Sequence, residues 1–348
     1  MKAMVYRRSG GPEVIEAEDL EIPKPGAGEV LVRVAVSGVN PTDWKSRQGT
    51  GSPPDRGWQI PNQDGAGLVT EVGEGVDPGL AGQRVWLWES AYQRPWGTAA
   101  QYTVVPESRV VPLHSSASYE LGAALGVPFI TAHSCLTAGA TMPDRLAPGA
   151  LAGRTVLVAG GAGAVGNAAI QLARWAGATV VATVSSPEKA KLAEAAGTDH
   201  VIDYRRQDVV SEVRKIAPDG VDVIVEVAAA VNAEIDAAVL ALNGCVAIYA
   251  GTGDEAVTVN IRSMMMINAR WQFILLYTMP AQIKAAAVES IQAAVAAGAV
   301  RIGDEAGLPL YRFELEQTSS AHAAVAAGAV GKVLITINDD PTIGTPTD

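Results

Sequence analysis

A chain of 348 residues exceeds what one ordinary hydrophobic core organises, so two domains are expected. Hydrophobic residues make up 48% of it, enough for well-filled interiors, while a net charge of −11 argues against a nucleic-acid backbone or an anionic membrane as partner. Its two cysteines, Cys135 and Cys245, exclude a disulfide framework and a four-cysteine zinc site.

The first residues contain no apolar signal core and no run of about 18 apolar residues follows, which sets the expectation of a cytoplasmic protein. Residues 1 to about 125 carry short alternating or β-rich runs (3–6, 30–36, 67–72, 84–87 and 100–105) between turn clusters such as Pro23-Lys24-Pro25-Gly26 and Asp77-Pro78-Gly79. That rhythm predicts an antiparallel, barrel-like domain. From about Tyr119 to the high 290s strands alternate with helices, the pattern of a doubly wound parallel sheet.

The pattern is sharpest at residues 155–184. Val156, Leu157, Val158 and Ala159 read as a strand buried on both faces. The strand runs into glycines, of which Gly161, Gly163 and Gly166 fit G-x-G-x-x-G: one for a tight turn, one for close approach to a pyrophosphate, one for helix–strand packing. Apolar residues then recur at Val165, Ala169, Leu172, Ala173 and Ala176, one face of a helix that ends at Gly177. A second strand over 179–184 follows. Free N–H groups at the helix start favour a phosphate, so a dinucleotide is expected on this turn.

A site that prefers the unphosphorylated cofactor carries Asp or Glu about 20 residues on. Here Val184 is followed by Ser185-Ser186-Pro187-Glu188-Lys189, and two hydroxyls and an ammonium suit a 2′-phosphate, so the expected cofactor is NADPH. Ser186 and Pro187 also read as the N-cap and first residue of a helix over 187–196; both readings hold together. Helix 207–216, strand 221–227, helix 233–242 capped by Asn232, strand 245–249 and helix 281–297 complete this region. A helix near 316–327 and a strand over 332–337 rejoin the first domain, and residues from Asn338 on read as frayed.

Gly10-Gly11-Pro12-Glu13-Val14, Gly38-Val39-Asn40-Pro41-Thr42-Asp43, Gly82-Gln83-Arg84-Val85, the glycine turn and Val330-Gly331-Lys332-Val333 occur in this order. Together they resemble the zinc-free quinone oxidoreductases (ζ-crystallin-like) of the medium-chain dehydrogenase/reductase superfamily, over essentially the whole chain. The resemblance implies an α/β protein in which a Rossmann domain, residues 125–299, is inserted into a GroES-like β-barrel catalytic domain, residues 1–124 and 300–348. It also implies a homodimer through edge strands of the nucleotide domain, for which the apolar run 271–277 is suited.

Against the zinc alcohol dehydrogenases of the same superfamily, Asn40 stands where a catalytic cysteine would, Asn62-Gln63-Asp64 replace Gly-His-Glu, and a second catalytic cysteine falls near Val127. A catalytic zinc needs three Cys, His or carboxylate ligands, and Asp64 alone qualifies, so no metal is expected. Without a Lewis acid, the remaining acceptors are quinones and alkenes conjugated to a carbonyl.

By the same resemblance, Gly161, Ala162, Gly163, Ala164 and Val165 line the pyrophosphate, and Ser185, Lys189 and Tyr204 approach the 2′-phosphate. Thr131 meets the nicotinamide, Ala250, Gly251 and Thr252 pass its ribose, and Phe273, Ile274 and Leu275 present backbone groups to its carboxamide. Lys332 lies near the cofactor. Blander readings stand beside these: Lys189 on a solvated helix face, Thr131 in packing, Lys332 on the surface. Asn40 is the best candidate to donate an N–H to the acceptor's oxygen, with an Asx-type turn before Pro41 as the structural alternative. Asp43 and Arg47 read as fixing the loop. Lys45 occupies a place where relatives often have tyrosine, and Gln63 and Asp64 either line the acceptor cavity or pair locally. His133 reads as a satisfied helix residue, and His114, His200 and His322 carry no pattern. Three functions follow: hydride transfer from NADPH to a quinone; reduction of an enone or enoyl compound, weakened by the missing tyrosine; and NADPH binding with little catalysis.

Overall fold

The computed structural model describes residues 1–50, 57–251 and 253–338. Two compact units divide the chain, Met1–Val127 with Leu310–Asp348, and Pro128–Pro309.

In the first unit β1 (Lys2–Val5) pairs antiparallel with β2 (Glu16–Asp19). The frame of the larger sheet is β3 (Glu29–Val39), an 11-residue strand. One edge of β3 pairs with β4 (Asp64–Val72), which continues into β5 (Arg84–Leu87) and then β7 (Val110–Pro112). The other edge takes β6 (Tyr102–Pro106) along residues 29–33 and β15 (Lys332–Thr336) along 36–39. The pairing of β3 with β4 shifts register twice, between Leu31 and Val32 and between Val34 and Val36, irregularities of the kind that bend a strand. Beyond β15 lies β14 (Leu310–Glu314), in parallel. Val30, Val32, Val69, Val85, Leu87 and Val105 fill one core cluster, all but Leu87 β-branched side chains suited to a pleated surface. Helix α1 (Pro41–Lys45) leaves the end of β3 with Pro41 in its first position, and α9 (Thr318–Ala326) precedes β15. Trp86 and Trp88 are core residues, while Trp96 meets Trp58 edge to face with ring centroids 5.1 Å apart.

Helix α2 (Tyr119–Leu136), with Pro128 in its interior, carries the chain into the second unit. There a six-stranded parallel sheet has the order β10-β9-β8-β11-β12-β13, formed by β8 (Thr155–Ala159), β9 (Thr179–Val184), β10 (His200–Asp203), β11 (Val221–Glu226), β12 (Leu240–Ile248) and β13 (Arg270–Phe273). The helices are α3 (Ala164–Trp175), α4 (Pro187–Ala196), α5 (Val209–Ile216), α6 (Ala229–Val239), α7 (Ile261–Met266) and α8 (Ala281–Ala296). Val156, Leu157, Val158, Val180, Val181, Val223, Ile224 and Val225 are buried on both sheet faces, as continuous apolar runs predict. The unit extends to Pro309 rather than residue 299, because Gln171 on α3 exchanges hydrogen bonds with the Arg301 backbone and Asn167 Nδ2 donates to the Ala306 carbonyl. Both cysteines are buried and free.

Two differences from the expected elements have local causes. The short helix α7 was not expected; Asn260 closes its start by accepting from the Ser263 N–H at 2.9 Å. Helix α6 starts at Ala229, so Asn232 lies inside it and is not its cap. Its amide is turned instead to the Glu226 carboxylate, 3.1 and 3.2 Å from the two oxygens. Asp236, one turn further along α6, is also buried and hydrogen-bonded to Glu226, and burial together with that neighbour pushes its carboxyl up to about 8. The folded protein therefore keeps this proton between about pH 4 and 8, where the unfolded chain has lost it, and stability falls as pH rises across that window. Asp236→Asn removes the ionisation and keeps a donor to Glu226. It is expected to stabilise the protein by about 2 kcal/mol at pH 8, with the gain shrinking toward pH 4, in urea unfolding at several pH values. A gain independent of pH would contradict this account.

Among the described residues, no helix is long and apolar enough to cross a membrane.

Candidate functional site

In the second unit the chain runs from β8 outward to β9 and β10, then returns to β11 on the other side of β8. Crevices outside the carboxyl ends of strands at such a reversal are where open α/β sheets bind ligands. The glycine turn lies at the end of β8. Its left-handed residue is Gly160, with φ +68°, one position before the glycine expected to make the tight turn. Gly161 is instead packed inward, where a Cβ would come within 2.8 Å of Ala182 Cβ. At Gly166 a Cβ would stand 2.4 Å from the Gly160 carbonyl oxygen, so this glycine lets α3 close onto the turn. Gly163 differs from both: a Cβ there would meet one atom, Gly160 O at 3.4 Å, so the space before the helix is open. No side chain caps α3, whereas α4 and α5 are closed by Ser186 and Asp208. The first N–H groups of α3, at Ala164 and Val165, point out of the helix start with Gly163 in front of them.

The neighbouring strand ends carry the polar residues. Ser186 caps α4, accepting from the Lys189 N–H at 3.3 Å, and Lys189 Nζ donates to Ser185 Oγ at 3.0 Å. Tyr204 follows β10, its backbone bonded to the Val184 carbonyl, and its ring is half exposed. Ser185, Lys189 and Tyr204 thus gather at the ends of β9 and β10. Ala250 and Gly251 follow β12; Thr252 lies outside the described residues. Ile274 extends the β13 pairing by donating to the Ile248 carbonyl, while the side chains of Phe273 and Leu275 are exposed. Thr131 is buried in α2. His133, also in α2, bonds through Nε2 to Ser290 Oγ at 3.1 Å. Since the Ser290 hydroxyl donates to the Ala286 carbonyl, Nε2 carries the proton; burial pushes this imidazole down to about 4, so it is neutral.

In the first unit, strand register converges a second set of residues. Asp64 opposes Gly38 across β3 and β4, and Val333 opposes Val39 across β15 and β3, which brings Lys332 beside Asn40. All three side chains are buried. Asn40 Nδ2 donates to Asp64 Oδ2 at 2.7 Å, Lys332 Nζ donates to Asn40 Oδ1 at 2.7 Å, and Lys332 Nζ lies 3.6 Å from Asp64 Oδ2. Both Asp64 oxygens also accept from the Val127 N–H at 3.0 Å, inside α2 and next to Pro128. Gly126 permits this insertion, since a Cβ there would overlap Asp64 Oδ1. Burial pushes the Asp64 carboxyl up and the Lys332 ammonium down; the two opposite charges and their hydrogen bonds offset that. The lysine expected near the cofactor is thus turned to Asn40 and Asp64.

A second chain of bonds supports the first. Asp43 accepts from the backbone N–H groups of Asn40 and Gln63 at 2.7 and 3.1 Å, and burial with Asp64 nearby pushes it up to about 8. Gln63 Oε1 accepts from the Ala91 N–H at 3.1 Å, a local partnership. Thr98 Oγ1 donates to the Asp64 carbonyl, so Ser37 donates to Thr98, Asn62 Nδ2 donates to Ser37, and His322 Nε2 donates to Asn62 Oδ1 at 2.8 Å. Arg47 Nε lies 3.5 Å behind His322 Nδ1, and burial pushes this imidazole down to about 3. Asn62 adopts φ +78°, a left-handed conformation asparagine tolerates. Lys45 is half buried with its ammonium 5.9 Å from the Trp44 ring centroid. Sequence reading missed Thr98 and His322, which carry no local motif, and had Asn62 only as part of the Asn62-Gln63-Asp64 departure, not as a link in this network.

The donor set does not fit a catalytic zinc. Asn40 and Gln63 offer amides, and the Asp64 oxygens are occupied by two N–H donors with an ammonium at 3.6 Å. Among the described residues, no three His, Cys, Asp or Glu gather to hold a metal.

A family model described as an alcohol dehydrogenase GroES-like domain matches residues 26–115, and one described as a zinc-binding dehydrogenase matches residues 164–293. The quinone oxidoreductase of Lama guanicoe is 31% identical over 341 residues, covering 96% of this chain and 97% of that protein. Among solved structures, an NAD-dependent alcohol dehydrogenase superposes with a TM-score of 0.82 at 27% identity, covering 97% of this chain and 100% of its own. A mycobacterial protein complexed with NADPH superposes with a TM-score of 0.79 at 25% identity, covering 97% and 99%.

Proposed function

The chain belongs to the quinone oxidoreductase family of the medium-chain dehydrogenase/reductase superfamily, and on that premise we propose that it transfers hydride from NADPH to a quinone without zinc. The observation that carries this reading is the buried ammonium of Lys332, which fills the neighbourhood of Asp64 where the zinc enzymes use a metal.

The uncapped start of α3 with open Gly163 suits a pyrophosphate, and Ser185, Lys189 and Tyr204 suit a 2′-phosphate, with no carboxylate at the end of β9. Bound there, NADPH supplies the hydride. The protein's own work is orientation and exclusion of side reactions, because water can protonate the phenolate-like product. Asn40 donates to the acceptor's oxygen. Lys45 and Trp44 border the same loop, and Gln63 and Asp64 hold it through Ala91, Val127 and Asn40. Helix α7 and the outer strand β13 expose Ile261, Met265, Met266, Phe273 and Leu275, which supports a homodimer formed on this edge. The free thiols agree with a cytoplasmic setting.

The test is oxidation of NADPH by the purified protein against a panel of quinones and a panel of enones, compared as kcat/KM. Quinones are expected to lead, with activity unchanged by a metal chelator. No turnover with any quinone removes the reading, and faster turnover of enones replaces it by conjugate reduction. For the cofactor, Lys189→Ala removes a charge-assisted bond to the 2′-phosphate. It is expected to raise the Kd for NADPH by about 10–100-fold and leave that for NADH unchanged, measured by fluorescence titration.

A further inference from the structure

Lysine can only donate and an aspartate carboxylate can only accept. An amide between them is therefore not free to flip: its oxygen must face Lys332 Nζ and its nitrogen must face Asp64 Oδ2, as the 2.7 Å distances to each record. The backbone N–H of the same residue is bound to Asp43 at 2.7 Å, so Asn40 is held at three points. Of the two hydrogens on Asn40 Nδ2, one goes to Asp64; the second has no partner among the described residues. Asp64 is itself fixed by the Val127 N–H, and Lys332 is fixed by the register of β15 on β3.

We propose that Lys332 and Asp64 are positioning residues that lock the Asn40 amide in one orientation, so that its remaining N–H is aimed in advance at the acceptor's oxygen. The inference rests on the reading of Asn40 as the acceptor's donor. A donor aimed before the reaction need not reorganise as negative charge develops on the acceptor oxygen. In this arrangement the buried ion pair serves orientation, with Lys332 touching neither the acceptor nor the hydride.

The experiment is a double-mutant cycle in the full-length protein with NADPH and 1,4-benzoquinone, reading kcat and KM separately. Asn40→Ala is expected to lower kcat by about 100-fold, the size of a lost oxyanion donor, with the KM for NADPH within about threefold. Lys332→Met is expected to lower kcat by about 10-fold or more, and Lys332→Arg to restore most of it. The double variant is expected to be no slower than Asn40→Ala alone, because Lys332 acts through that amide. Lys332→Met/Asp64→Asn, which removes both charges together, serves as the folded equivalent if Lys332→Met alone does not fold, and the same loss is expected. Multiplicative losses in the double variant, or natural kcat in the Lys332 variants while Asn40→Ala is slow, overturn the positioning role and leave the Asn40 reading standing. Natural kcat in Asn40→Ala overturns the Asn40 reading itself.

Discussion

Gly163→Asp is expected to yield a folded protein, slightly more stable than the natural one, that no longer holds NADPH. The residue precedes α3 in extended backbone, φ −78° and ψ 163°, and nothing but one carbonyl oxygen lies near its absent Cβ. An aspartate there can cap the open N–H groups of the first turn and complement the helix dipole, a gain of about 0.5 kcal/mol. Those same N–H groups are the ones a pyrophosphate needs, and a carboxylate among them adds like-charge repulsion. The Kd for NADPH is expected to rise by more than about 100-fold, about 3 kcal/mol. Calorimetric titration and a thermal melt of one sample check both signs, and a variant that binds NADPH normally would displace the cofactor from this turn. Gly166→Ala offers the contrast: its Cβ would strike the Gly160 carbonyl at 2.4 Å, so here the fold suffers before any ligand is involved.

Asp64→Ala is expected to destabilise the first unit by about 3–5 kcal/mol, lowering Tm by about 10 °C. The carboxylate accepts from Asn40 and Val127 and faces the Lys332 ammonium at 3.6 Å, all in a buried setting. Removing it strands a positive charge and leaves two donors without an acceptor. Burial already pushes Lys332 down, and without Asp64 the lysine loses its main counter-charge. A base with a depressed folded pKa binds fewer protons folded than unfolded, so stability rises with pH across that window. The Asp64→Ala deficit should therefore narrow between pH 7 and 10. Lys332→Met added to Asp64→Ala should recover most of the loss, since it removes the stranded charge. A double variant as unstable as the sum of its parts would mean that the two residues act separately.

The glycine turn and the Asn40 network differ in how far they could be read from residues in order. The glycine turn is local: strand, glycines, helix and the Ser185–Lys189 tip fall within a single stretch of chain, so spacing alone carried the expectation of a dinucleotide there. Even there the positive φ sits at Gly160, since the pattern reports where small residues are needed and leaves open which one turns. Asn232 looked like a cap because its type favours helix starts, yet Glu226 at the end of β11 claimed its amide. The run 261–266 gave no alternation or periodic face long enough to announce α7.

Asn40, Gln63, Asp64 and Lys332 were each visible as departures or matches, but their mutual contacts were not. Asn40 and Lys332 stand 292 positions apart, and their bond exists because β15 pairs with residues 36–39 of β3 in one register. A shift of one residue in that pairing would send Lys332 to the opposite face. His322 had no motif because its role is to donate to Asn62 in a chain of buried hydrogen bonds, and such partners are chosen by topology.

What the residue order determined by itself is a glycine turn between strand and helix with hydroxyls and an ammonium beyond it, and the presence of Asn40, Gln63 and Asp64 at positions that only the family resemblance marks as those of metal ligands. What the tertiary structure alone decided is which partners the Asn40 and Gln63 amides bond and how they are oriented. Side-chain type sets which groups can donate or accept. Whether a lysine is a solvated surface charge or the buried clamp on an asparagine depends on which strand ends the fold brings together, and on how completely it excludes water from them.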